Sequence, residues 1–202
     1  MGRNSGGVKS GTSSTGSKLK RGATEQGYSA QMAKNILGME QQYRNKKDET
    51  LHIFTSGGTL VKSIGGKGAQ VVFNGKSIPE NSILTHNHPR SIGTTGIRRI
   101  GNSFSKQDIV SAVETNAKEI RAVTPTYTFS VKRPKGGWGG SPKQIGDAFS
   151  KAHQAVQKEM HSYLNKMDWN DDSIARAETT HYHKVMQKMA KKYGWNYTKK
   201  KG

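Results

Sequence analysis

From Gln26 to about Lys46, the apolar residues Met32, Ile36, Leu37, Met39 and Tyr43 recur on a 3.6-residue period. This spacing predicts an amphipathic helix with Gly38 in its course. Two short apolar runs follow, Thr50 to Thr55 and Thr59 to Ile64. Ser56-Gly57-Gly58 divides them, as a tight turn divides the strands of a hairpin. Ala69 to Phe73 reads as a third strand, and Ser82-Ile83-Leu84-Thr85 as a short buried strand that ends on His86-Asn87-His88-Pro89. Residues 90 to 103 carry no period and predict a loop that is long for a compact domain. Ser105 is a good N-cap, and Ile109, Val110, Val113 and Ala117 form the apolar face of the helix it would open. Ala122 to Val131 alternates as a further strand, broken at Thr124-Pro125. Beyond the turn-rich stretch from Pro134 to Gly140, the period predicts two helices, Lys143 to Met167 and Asp172 to Tyr193. The pattern as a whole predicts an α/β fold, with a small mixed sheet flanked by helices. In order along the chain it gives a tail (1–25), an N-terminal helix (26–47), a core (48–132) and a C-terminal helical extension (133–202).

Composition adds limits to that picture. Hydrophobic residues make up 31% of the 202 and glycine numbers 24, so the packed core is expected to be modest and the Gly-, Ser- and Lys-rich residues 1–25 to be a disordered basic tail. The formal charge of +19 favours polyanionic partners, nucleic acid among them, without naming a reaction. No cysteine is present, which excludes disulfides, thiolate metal sites and a cysteine nucleophile; any metal must be bound by histidine and carboxylate. The first residues lack the apolar segment of a secretory signal, and no run approaches the length of a membrane span. The expectation is a soluble chain with no membrane partner, cytoplasmic or of open location.

Candidate chemistry concentrates around His86. In an extended segment alternate side chains share a face, so an H-x-H spacing lets both imidazoles reach one ion, and Pro89 stops the strand just beyond. A catalytic zinc keeps three protein ligands and leaves a position for water. Asp108, in the first turn of the Ser105 helix, is the natural third ligand. Ser105, one turn away, is placed to hydrogen-bond a carbonyl or its oxyanion. Glu49, at the head of the first predicted strand, is the best candidate for the acid/base; Glu80 competes but stands close to His86 in the chain.

Glu49, His86-Asn87-His88-Pro89 and Ser105-Lys106-Gln107-Asp108-Ile109 together resemble the JAMM (JAB/MPN) metalloproteases, whose pattern is an upstream Glu followed by H-x-H-x7-S-x-x-D. The wording is similar to that of the bacterial RadC-type and the toxin- or phage-associated branches. The resemblance covers roughly residues 48 to 132. It implies a JAMM-like sheet, zinc on His86, His88 and Asp108, oxyanion assistance from Ser105, and Glu49 as acid/base. The implied reaction is hydrolysis of a peptide or isopeptide bond, with a peptide or ubiquitin-like protein as substrate. The RadC likeness also allows a catalytically silent module that binds nucleic acid, and the other branches an effector or processing protein of a phage or toxin. One departure is plain: sixteen residues, 89 to 104, stand where the pattern has seven.

Other motifs carry less. The letters HNH do not fit an HNH nuclease, which spaces its residues over a hairpin and helix. His181 and His183 lie two apart on a helix and face different sides; with Glu178 they read as surface residues, and His153 and His161 belong to no H-E-x-x-H pattern. Trp138, Trp169 and Trp195 read as packing or turn anchors, with Trp138 the one placed to meet a ligand.

Overall fold

The computed structural model describes residues 27–89, 93, 96–167 and 169–202; the expected tail at 1–25 and part of the expected 90–103 loop lie outside them. Helix α1 (Ala30–Tyr43) opens on Ser29, whose side chain accepts from the Met32 amide and satisfies one of the unpaired amides of a helix start. Strands β1 (Thr50–Phe54) and β2 (Leu60–Gly65) form the expected hairpin. Strand β3 (Ile83–Asn87) pairs antiparallel with β1 and parallel with β4 (Glu119–Val123), and α2 (Lys106–Glu114) lies in the crossover between them. Strand β5 (Tyr127–Lys132) completes a second hairpin with β4. Helices α3 (Pro142–Leu164) and α4 (Asp171–Tyr193) follow, and β6 (Asn196–Lys201) pairs with β5. The fold of the described residues is therefore mixed α/β, with a six-stranded sheet in the order β2-β1-β3-β4-β5-β6. Among the described residues no helix is long and apolar enough to cross a membrane.

Alternation along the strands sorts side chains between the two faces of the sheet. Leu51, Ile53, Leu84, Ile120, Ala122, Phe129 and Val131 join the main core with residues of α2, α3 and α4, while Phe54 and Ile83 pack with Tyr28, Met32 and Ile36 of the α1 layer. The α1 layer also encloses charge. Arg121 gives two hydrogen bonds to Glu40, at 2.6 and 3.0 Å, and one to Glu119 at 2.9 Å, and Tyr28 donates to the other oxygen of Glu119. All three ionised side chains are 1% exposed, a burial that only mutual pairing permits.

The structure corrects three expectations. Ala69–Phe73 is not a strand. Gly66 donates to the Glu49 carbonyl and Lys67 to the Gln70 carbonyl, so the chain doubles back where a Cβ on Gly66 would stand 2.1 Å from Gln70 O. Val72, at 80% exposure, has no sheet to bury it. Conversely, Asn196–Lys201 is a strand although its sequence has no apolar alternation; an edge strand is held by backbone hydrogen bonds, and lysines are common at such edges. Third, His181 is buried at 7% exposure between α3 and α4, whereas Glu178 is exposed and pairs with Arg98. Trp138 and Trp195 are packing residues, edge-to-face at 5.3 Å in the main core, while Trp169 is 56% exposed.

Candidate metal centre

His86 points from β3 to the α2 face of the sheet, and His88, just beyond the strand end, follows it by the alternation of an extended chain. His88 stays in line with β3 because its amide donates to the Val123 carbonyl at 2.8 Å. Asp108 is brought in by α2, whose start is a reciprocal capping box: Ser105 Oγ accepts from the Asp108 amide, and Asp108 Oδ2 accepts from the Ser105 amide at 2.6 Å. The cap fixes the carboxylate relative to the start of α2.

The three groups converge. His86 Nε2 and His88 Nε2 are 2.9 Å apart, and Asp108 Oδ1 and Oδ2 lie 3.5 and 3.7 Å from His86 Nε2 and His88 Nε2 respectively. Two ligands of a tetrahedral ion at about 2.05 Å stand roughly 3.3 Å apart, so these separations bracket what a metal requires. No other group of three or more histidines and carboxylates among the described residues converges in this way.

The chemistry of the donors agrees. His88 Nδ1 faces the Asn102 carbonyl oxygen at 2.9 Å, and a carbonyl only accepts; Nδ1 therefore carries the proton and, in the neutral ring, Nε2 offers its lone pair toward His86 and Asp108. Burial works against an imidazolium at His88, but the hydrogen bond and charge of Asp108, with Asn102 and Glu49 adding, outweigh it and raise its pKa. Burial likewise works against the Asp108 carboxylate, and the two imidazoles overcome it, holding Asp108 well below the usual range.

Glu49 and Ser105 line the same cleft as His88 and Asp108, a space of about 1050 Å3. Glu49 is half-buried and Glu80 exposed, so the structure brings the first and not the second to the site. Two further residues act here. Asn87, between the histidines, faces the other way; its side chain accepts from the Thr50 amide and donates to the Lys46 and Asp48 carbonyls, pinning the backbone on both sides of Glu49. Asn102 supplies the carbonyl that orients His88. Asn87 was visible in the sequence as the middle letter of HNH, whereas nothing local marks Asn102. The opposite wall of the cleft comes from α3 and α4 and includes His153, Met160 and His181. His181 and His183 do face different ways: the first contacts Met160, the second Tyr197.

No protein-family model, curated protein or solved structure matches the chain.

Proposed function

We propose that the chain is a zinc-dependent hydrolase of the JAMM type that cleaves a peptide or isopeptide bond. The reading is carried by one observation: the donor atoms of His86, His88 and Asp108 lie within 4.8 Å of one another beside a cleft that Glu49 and Ser105 also line. The nitrogen and oxygen donors suit zinc, and the chain has no thiolate to offer a softer ion. Zinc held by these three would supply Lewis-acid activation of water and of the scissile carbonyl.

The remaining work falls to the chain. Glu49 takes a proton from the attacking water and returns it to the leaving amine. Ser105 Oγ already accepts from the Asp108 amide, so its hydroxyl proton is left to donate to the carbonyl oxygen as negative charge develops there. Asn102 holds His88 in the tautomer that binds a cation, and Asn87 holds the segment that carries Glu49.

Zinc titration of purified protein, with cleavage assays on peptides and ubiquitin-like conjugates, tests the reading. One zinc per chain is expected, lost in His88→Ala. Glu49→Gln is expected to keep the zinc while kcat falls by about 100-fold or more. A His88→Ala protein that binds the same zinc, together with no amidase activity in zinc-loaded wild type, would sink the proposal.

A further inference from the structure

The carbonyl that orients His88 belongs to a segment whose described residues form no regular structure beyond the short 3-10 turn Gly96–Ile100. Something else must hold Asn102 still. Upstream, the segment is tied to the β4–β5 turn, because Thr126 Oγ1 donates to Arg99 O at 3.0 Å and Thr124 Oγ1 to Ile100 O at 2.8 Å. Downstream, Phe104 is fully buried and anchors the entry to α2. Between these ties lies Ser103, 2% exposed, whose Oγ is 2.9 Å from the phenol oxygen of Tyr197. Tyr197 is in turn 2.7 Å from His183 Nδ1 on α4 and edge-to-face with Phe104, whose ring centroid is 6.4 Å from that of His86. The Asn102 carbonyl lies in the peptide plane that runs to Ser103 Cα, so fixing Ser103 restricts the direction of that oxygen.

We propose that Tyr197, on the C-terminal edge strand β6, is a positioning residue of the metal centre. Through Ser103 it holds the Asn102 carbonyl, which keeps His88 protonated at Nδ1 and its Nε2 free for the ion. The inference rests on the metal reading of His86, His88 and Asp108 and extends it beyond residues 48–132, to a strand contributed by the last residues of the chain. The hydrogen bonds that join Ser103, Tyr197 and His183 can point either way, because each group can donate or accept.

Tyr197→Phe deletes the hydroxyl and keeps the ring, and Ser103→Ala removes the same hydrogen bond from its other end. Two measurements follow for each variant: long-range nitrogen–proton NMR of the His88 ring in metal-free protein at alkaline pH, where the ring is neutral, and zinc affinity by competition with a chelator. Both variants are expected to keep the amide dispersion of the wild type, to lose the fixed Nδ1–H tautomer at His88, and to bind zinc about 10- to 100-fold more weakly. A merely structural role would shift thermal stability and leave the tautomer alone. Wild-type tautomer and zinc affinity in either folded variant would overturn the proposal. Absence of zinc binding in the wild type would instead end the metal reading, while the tautomer measurement would still decide whether Tyr197 orients His88.

Discussion

Arg121 keeps its charge at 1% exposure because two glutamates share it. Arg121→Met would leave Glu40 and Glu119 buried together, with Lys132 still 3.7 Å from Glu119. Removing one partner of a buried ion pair costs about 3–5 kcal/mol, which is the loss expected in urea unfolding. Two buried histidines act in the opposite sense. Burial, aided by Lys46 at His52 and by His153 at His181, lowers each pKa from 6.5 to about 4. The unfolded chain therefore takes up protons near pH 6.5 that the folded chain refuses until about pH 4, and protonation favours unfolding across that window. Stability contributed by these rings is full above pH 6.5 and lost as the pH falls toward 4. Urea midpoints at pH 7.5 and 5 are expected to differ less for His181→Gln than for wild type; an equal difference would show that His181 stays exposed to protonation.

Among the elements, the start of α2 serves two ends at once. Its capping box stabilises the helix and also aims Asp108. Asp108→Asn keeps an oxygen to accept from the Ser105 amide but loses the charge, so zinc binding is expected to fail, and the melting temperature to fall because the carboxylate's pairing with the two imidazoles is lost. Ser105→Ala removes the cap and is expected to cost about 1 kcal/mol, measured by denaturant unfolding. The hairpin and α1 meet as closely at Gly58. Its φ is +86°, and a Cβ there would stand 2.6 to 2.9 Å from Met32 atoms, the Cα among them. Gly58→Ala thus faces backbone strain and a clash that side-chain motion cannot relieve, and a loss of about 2 kcal/mol or more is expected from thermal unfolding.

For the molecule as a whole, the C-terminal third cannot be separated from the sheet that carries the site. Phe129 and Val131 share one core with Phe149, Val156, Val185, Met186, Met189 and Trp195, and α3 and α4 form the far wall of the cleft. A fragment ending at Lys132 would expose that core and lose the Tyr197 tie, although it retains every residue of the JAMM-like pattern. It is expected to show no cooperative urea transition by circular dichroism, whereas the full chain does. A fragment that unfolded cooperatively would make 48–132 an independent domain.

Local pattern by itself placed the helices, the first hairpin, the strand before the histidines, the histidine pair on one side of an extended segment and Asp108 in a capped first turn; it read Ala122–Val131 as one broken strand where the structure has the hairpin β4–β5. These features are set within a few residues, by helical period, strand alternation and N-cap chemistry, and such forces are written in neighbouring letters. Tertiary structure alone decided the rest. It made Asn196–Lys201 a strand, because an edge needs only a backbone partner, and left Ala69–Phe73 outside the sheet, because the glycines at 66 and 68 turn it back on Glu49. It buried His181 through the packing of α3 on α4 and chose Glu49 over Glu80 for the cleft. It also brought Asn102, Ser103 and Tyr197 to His88 from residues up to 109 positions away, as only closure of the sheet by the chain's last strand can do.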